Sequence, residues 1–273
     1  MLAYSHTPGM FNGPGRRMTR TAPDGTFQFT DVAGGHYMLM AAAADQQITV
    51  ADSNLDDLVL VSRTGSTVSG NVVTEDGSAP PFEPSGVRVV LDAPYPNVLP
   101  TMRVVSVDAS WSFKLTQLGG SFLFRLIGIP NGWMLGSVTL GEKDITDVPW
   151  DVPTSGRQLA GLTLVVTQKI GTATGSVVDA NGKPTADAVV VVFADDPDLW
   201  IPGSRRIRTA RPDSTGRFSL KGLPAGTYCA VARAFLEEGQ WEAPDFLEQA
   251  RAGATTFTID DGGSASVSLS VRR

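Results

Sequence analysis

The stretch from Ile207 to Ala232 reads IRTARPDSTGRFSLKGLPAGTYCAVA, and its pattern decides the fold. Between Arg211 and Gly216 lies turn chemistry: Pro212 presets φ, Asp213 is placed to bond its own backbone, and Gly216 allows positive φ. Phe218 and Leu220 then alternate with Arg217, Ser219 and Lys221, the period of a half-buried strand. Leu223-Pro224-Ala225-Gly226 makes a second turn, and Tyr228, Ala230 and Ala232 share one face of the strand that follows.

The same phrase stands near the start, from Arg20 to Ala41, as RTAPDGTFQFTDVAGGHYMLMA. Asp24 matches Asp213, Gly25 matches Gly216, Phe27 and Phe29 match Phe218 and Leu220, Gly35 matches Gly226, and Tyr37 matches Tyr228. A degraded copy runs from Val104 to Leu126, where Asp108, Phe113 and Leu115 hold their places, Gly120 stands for the turn glycine and Phe122 for the tyrosine. A repeat of roughly a hundred residues is too long for a solenoid and is about the length of one sandwich domain.

The third copy has an opening strand, Gly175-Ser176-Val177-Val178-Asp179-Ala180-Asn181-Gly182-Lys183-Pro184, of the form G-x-V-x-D-x-x-G-x-P. Together with the close from Asp213 to Tyr228, it resembles the carboxypeptidase regulatory-like domain of bacterial proteins. The resemblance covers the last third of the chain best, then the first forty residues, and the middle least. It implies a seven-stranded, transthyretin-like sandwich of the kind classed with carbohydrate-binding-like folds. Carboxypeptidases that carry this module hold zinc in a separate catalytic domain, so the resemblance implies no cofactor here. Pilin-like and adhesin domains of similar fold place a Glu four residues after the strand tyrosine to promote a Lys–Asn crosslink. Ala41 and Ala232 occupy those positions, which argues against a self-made isopeptide bond. The transthyretin-like hydrolase ends in Tyr-Arg-Gly-Ser and uses histidines, whereas this chain ends Ser-Val-Arg-Arg.

The expected fold class is therefore all-β, as tandem seven-stranded Greek-key sandwich modules, transthyretin-like and Ig-like. Residues 1–62 are expected to form an incomplete amino-terminal module, 63–168 a second, divergent module, and 169–273 a complete one. No G-x-V-x-D strand precedes the copy at Arg20, so the chain reads as amino-terminally incomplete, with any export signal upstream of Met1. This first half-sandwich is expected to expose an edge. Within it, Met1 to Arg17 reads as loop, while Thr26 to Thr30 and Asp57 to Arg63 read as strands. In the second module, Gly141 to Arg157 reads as a long loop. The third module is expected to hold seven strands, a short helix over Pro244 to Arg251, and a strand from Ala188 to Phe193 buried on both faces, because that run is continuously apolar.

With a hydrophobic content of 42%, 273 residues support packed cores for two or three small domains. A net charge of −6 argues against nucleic acid as partner, since phosphate neutralisation needs a basic surface. Cys229 is the lone cysteine, so no internal disulfide forms. The amino terminus lacks the basic and apolar regions of a signal peptide, and no apolar run is long enough to span a bilayer.

His6 and His36 are isolated from any second ligand or orienting carboxylate, so no metal or catalytic site is assigned to them. No nucleophile motif, paired-cysteine motif or phosphate loop occurs. Asp195, Asp196 and Asp198, and Asp260 and Asp261, lack the calcium-loop pattern and read as turn residues. Arg205, Arg206, Arg208 and Arg211 are expected to form cross-strand ion pairs with that first acidic cluster. Tyr37 and Tyr228 are read as tyrosine corners, with Asp24, Gly25, Gly35, Asp213, Gly216 and Gly226 as the motif's turn residues. The one ligand-type signal is aromatic. Trp200 and Trp241, with Asp198 and Glu242 as acceptors, are the candidate carbohydrate contacts, against the plainer reading that each tryptophan, Trp150 included, pins a loop to its own sandwich.

Three functional readings stay open. The first is a non-catalytic spacer and interaction protein of the bacterial envelope or secreted fraction, with another envelope protein as partner. The second is a carbohydrate-binding module. The third is an accessory region of an enzyme whose catalytic domain lies outside this chain.

Overall fold

In the computed structural model, residues 2–5, 17–41, 44–51, 53–61, 64–92 and 103–272 are described. His6, most of the loop expected at the amino terminus, and the end at 62–63 of the strand expected from Asp57 lie outside them. The chain is built of strands, as expected, in three successive groups.

The first group is a four-stranded sheet of β1 (Leu2–Ser5), β2 (Arg17–Met18), β3 (Gly35–Ala41) and β4 (Ala44–Val50), in the order β2-β1-β3-β4. Strand β1 falls where the composition predicted loop. Conversely, Thr26 to Thr30 and Asp57 to Val61 are not strands. Both keep the two-residue alternation of a strand: Phe27 and Phe29 are half-buried beside exposed Gln28 and Thr30, and Leu58 and Leu60 are half-buried beside exposed Val59 and Val61. A ladder needs a neighbour to bond, and among the described residues no strand pairs with either segment.

The second group contains β5 (Ser66–Thr74), β6 (Arg88–Asp92), β7 (Arg103–Ser106), β8 (Ser112–Leu118), β9 (Gly120–Ile127), β10 (Met134–Leu140), β11 (Lys143–Asp144), β12 (Trp150–Val152) and β13 (Gln158–Thr167). One sheet runs β11-β10-β13-β5-β8 and the other β12-β9-β6-β7. Their inner faces meet in a core that includes Val68, Val89, Leu91, Phe113, Leu115, Phe124 and Leu164. The expected loop from Gly141 to Arg157 in fact holds β11 and β12, with Ile145, Thr146 and Asp147 buried between them.

The third group contains β14 (Gly171–Val178), β15 (Val189–Ala194), β16 (Ile207–Ala210), β17 (Arg217–Leu223), β18 (Gly226–Arg233), β19 (Thr255–Ile259) and β20 (Ser264–Arg272), with helix α1 (Pro244–Arg251) before β19. All seven expected strands and the short helix are present. β14 lies between β17 and β20, antiparallel to the first and parallel to the second. The facing sheet runs β16-β15-β18-β19. Val190, Val192, Tyr228 and Ala230 point into the core between the sheets. Val189, Val191, Phe193, Cys229 and Val231 point the other way, under Trp200 and under Leu247 and Ala250 of α1. This second covering layer is why every residue of β15 is buried.

The three groups share a strand plan. β1 pairs with β2 and β3 as β15 pairs with β16 and β18, and as β6 pairs with β7 and β9. β5 sits between β8 and β13 as β14 sits between β17 and β20. The middle group departs at one strand. β19 pairs with β18, but β10 has moved to the other sheet beside β13, and β12 pairs with β9 instead.

Candidate functional site

The repeated turn residues build the same local structure in each copy. The Asp213 carboxylate accepts from the Thr215 and Arg217 backbone N–H groups at 2.8 and 2.9 Å and from Thr215 Oγ1 at 2.7 Å. Asp24 accepts from Thr26 N and Oγ1, and Asp108 from Ser110 N and Ser112 N. These bonds hold all three carboxyls below the ordinary carboxylate range. Gly25 and Gly216 take φ of 86° and 75°. Tyr37 Oη donates to Ala33 O, and Tyr228 Oη to Pro224 O, each at 2.7 Å, so both tyrosine corners form. Gly35 and Gly226 open the strands that carry them.

The most developed polar cluster lies where the second and third groups meet. Only Gln168, Lys169 and Ile170 separate β13 from β14. Lys169 Nζ sits 3.0 Å from Glu75 Oε1 on one side and 3.3 Å from Asp261 Oδ2 on the other. These three side chains are exposed, so the pairs contribute little by themselves.

Asp147 is different, because its side chain is only 8% exposed. The segment before it is pinned: Asp144 Oδ1 accepts from Thr146 N at 2.8 Å, and Val138 N donates to Thr146 Oγ1 at 2.8 Å. Across the boundary, Arg205 Nε donates to Asp147 Oδ1 at 2.7 Å and Arg206 Nε to Oδ2 at 3.0 Å. Arg205 Nη2 also donates to Gly136 O at 2.9 Å, and Nη1 donates to Leu135 O, so this side chain binds the backbone of β10. Arg206 Nη1 donates back to Ala225 O and meets Tyr228 Oη, which ties the cluster to the tyrosine corner. Arg125 of β9 donates to Thr146 O at 2.7 Å, with Nη2 at 4.0 Å from Asp147 Oδ1.

Burial alone would raise the Asp147 carboxyl. Arg205 and then Arg206, by hydrogen bond and by charge, more than reverse that effect and hold it below the usual carboxylate range. Burial lowers the Arg125 guanidinium, and the Asp147 charge offsets part of that shift. At Gly203, with φ of 73°, an added Cβ would stand 2.5 Å from Asp92 Oδ2, so the turn before β16 packs directly on the end of β6. The cluster holds an anion among fixed donors but no nucleophile. Its chemistry is that of a joint.

The structure corrects the expected arginine pairs. β16 does pair with β15, yet Arg205 and Arg206 precede the strand and turn away to Asp147. Asp195 instead meets Arg251 of α1 at 3.1 Å, and Asp196 caps the short turn that follows by accepting from Asp198 N. Sequence spacing could not reveal Asp147 as a partner 58 residues upstream of Arg205. The sequence carried no signal for it, because the β15–β16 register sets Arg205 and Arg206 beside Ala194 and Asp195, which made the nearer acid the natural candidate.

Trp200 is 5% exposed, donates Nε1–H to Ala194 O at 2.7 Å, and packs edge-on against Phe193 with ring centres 5.7 Å apart. Trp241 is half-buried against the same apolar cluster beneath α1. The two stretches therefore converge, but on an interior layer, and the buried Trp200 ring presents no open face to a sugar. Asp198 and Glu242 are exposed in the turns that carry the tryptophans. Trp150 lies in β12 against Phe124. His36 Nδ1 is 3.0 Å from Thr49 Oγ1. Among the described residues, no group of three His, Cys, Asp or Glu side chains could hold a metal ion, and no helix is long and apolar enough to cross a membrane.

Fold and site thus define an all-β protein of successive sheet groups, with a built polar joint between the second and third. Residues 172–271 match the family model of the carboxypeptidase regulatory-like domain, as the resemblance of the third copy implied. No curated protein matches the chain. Among solved structures, a streptococcal ancillary pilin is similar at 17% identity and TM-score 0.32, over 88% of this chain and 76% of that one. The minor pilin of Streptococcus agalactiae is similar at 13% identity and TM-score 0.35, over 76% and 96%. The shaft pilin of Lactobacillus rhamnosus GG is similar at 12% identity and TM-score 0.27, over 77% and 98%.

Proposed function

We propose that this chain is a non-catalytic tandem β-sandwich spacer of the bacterial envelope or secreted fraction, which holds its second and third modules at a fixed angle and distance and presents surfaces to another protein. The observation that carries this reading is the Asp147 joint. A freely hinged pair would need only a polar linker. Here a three-residue connection is reinforced by a buried carboxylate held by two arginines from the next module. Buried ion pairs cost desolvation and are poor sources of raw stability; the role inferred for this one is to select a single geometry, since each donor must meet one acceptor. A spacer needs that fixed geometry.

Small-angle scattering of the full chain tests the reading. A profile fitted by one fixed arrangement of residues 64–272 is expected. A profile that requires a broad set of inter-module angles would overturn the spacer function.

A further inference from the structure

Among the described residues, two turns carry the pair Asn-Gly, and the fold treats them differently. Asn131 and Gly132 lie in the turn between β9 and β10, and Asn181 and Gly182 in the turn after β14. All four residues are exposed. Gly132 and Gly182 take φ of 89° and 76°, and an added Cβ would meet nothing within 4 Å at either. By sequence and exposure the two pairs are equal.

Their hydrogen bonds are not. Gly182 N donates to Asp179 O at 3.0 Å, and Asn181 N and Lys183 N donate to Asp179 Oδ1 at 2.8 and 2.9 Å. Asp179 N donates to Lys183 O at 2.8 Å, which closes that turn. In the other turn, Trp133 N donates to Pro130 O at 3.1 Å. Among the described residues, no acceptor meets Gly132 N and no partner holds the Asn131 side chain.

That difference bears on chemistry. Asparagine is a thermolabile side chain. Its carboxamide carbon is open to attack by the backbone nitrogen of the next residue, and glycine there hinders the approach least. The nitrogen must first give up its proton. An N–H that is bonded to a carbonyl, beside a carboxylate, is poorly placed to do so.

We propose that Asn131 is a site of spontaneous deamidation in the folded protein, and that Asn181 is protected by its turn. Gly132 N loses its proton to solvent base and forms a bond to Asn131 Cγ. The Cγ–Nδ2 bond breaks, and ammonia leaves with a proton taken from solvent. The succinimide ring so formed takes up one water, and opening at either carbonyl gives an aspartyl or an isoaspartyl residue at position 131. Either product adds one negative charge. The isoaspartyl form also adds one atom to the main chain just before Trp133, whose ring packs on Phe82 with centres 5.3 Å apart. The site draws neither on the Asp147 joint nor on the spacer role.

The test incubates the full chain, folded, in mildly alkaline buffer. Asn131 and Asn181 fall on separate tryptic peptides, each the only asparagine of its peptide, so mass spectrometry follows each conversion directly. Asn131 is expected to convert roughly tenfold or more faster than Asn181, because a hydrogen bond must open before Asn181 reacts. In urea-unfolded chain the two rates are expected to converge. Asn131→Gln is expected to remove the isoaspartyl product from its peptide. Three results would overturn the proposal: Asn131 intact in the folded chain after the unfolded chain has converted, equal rates at the two sites in the folded chain, or a rate difference that persists unchanged in urea, which would assign it to flanking residues and not to the turns.

Discussion

Asp147 Oδ1 and Arg205 Nε meet at 2.7 Å across the boundary between two sandwiches, and both side chains are nearly closed to solvent. The carboxylate comes from a segment pinned by Thr146 to β10, and the guanidinium also binds the carbonyls of Leu135 and Gly136 in β10. One arginine therefore reads both the charge and the backbone of the neighbouring module. Arg206 carries the same carboxylate into the tyrosine corner at Tyr228, which places the joint on the most regular part of the third module.

The joint gives the chain a defined acid response. The folded Asp147 carboxyl lies below its unfolded value of about 3.9. Its contribution is therefore fully present above that unfolded value and is lost as pH falls through the folded one. Asp24, Asp76, Asp108, Asp179 and Asp213 are lowered as well, Asp76 to about 2, so the parent also loses turn stability in acid. Comparison with Asp147→Asn separates the two. The gap in melting temperature between parent and variant is expected to be constant from about pH 8 to 5 and to shrink below about pH 4. A gap that stays constant into strong acid would show that Asp147 does not titrate as described.

Gly226 is expected to resist substitution. Its φ is 151°, and a Cβ there would stand 2.9 Å from Arg206 Nη1. Gly226→Val is expected to cost about 1–3 kcal/mol through backbone strain. Urea denaturation checks this, and a variant as stable as the parent would contradict the turn geometry.

The third module is expected to fold alone when cut before Lys169. Its two apolar clusters draw on Ala173 to Leu269 and on no residue of the second module. Arg205 and Arg206 lose Asp147 in this fragment, but they gain water, so no charge is left stranded. Heating Lys169 to Arg273 should give one cooperative transition; a chain that is unfolded at room temperature would contradict the boundary.

How far the sequence could be read follows from which contacts are local. The seven strands and the helix of the third module were legible because alternation and turn residues act within a few positions. The middle module was harder for a physical reason seen at Trp111. It takes φ of 62° at the position where the other copies have Gly25 and Gly216, and its ring is held against Phe82 at 5.2 Å. Packing there replaces the glycine signal. Strands β11 and β12 were missed because two and three residues are too few to show a period. Thr26 to Thr30 was read as a strand from a sound alternation, but a strand also needs a neighbour, which one segment's pattern does not encode. The Asp147 joint was invisible for the same reason: its partners are distant in sequence and meet only after two sandwiches have formed.

The central claim is that Asp147 locks the second and third modules in one arrangement. Spin labels at Lys114→Cys and Ser214→Cys, both exposed, allow a pulsed-resonance distance measurement across the joint. The native Cys229 does not compete for label, because it is buried and burial pushes its thiol up to about 11. The parent is expected to give one narrow distance distribution. Asp147→Ala leaves Arg205 and Arg206 without their carboxylate, at a cost of about 3–5 kcal/mol for the closed joint, and is expected to give a broad one. A distribution that is equally narrow in both proteins, or broad in the parent, would contradict the account.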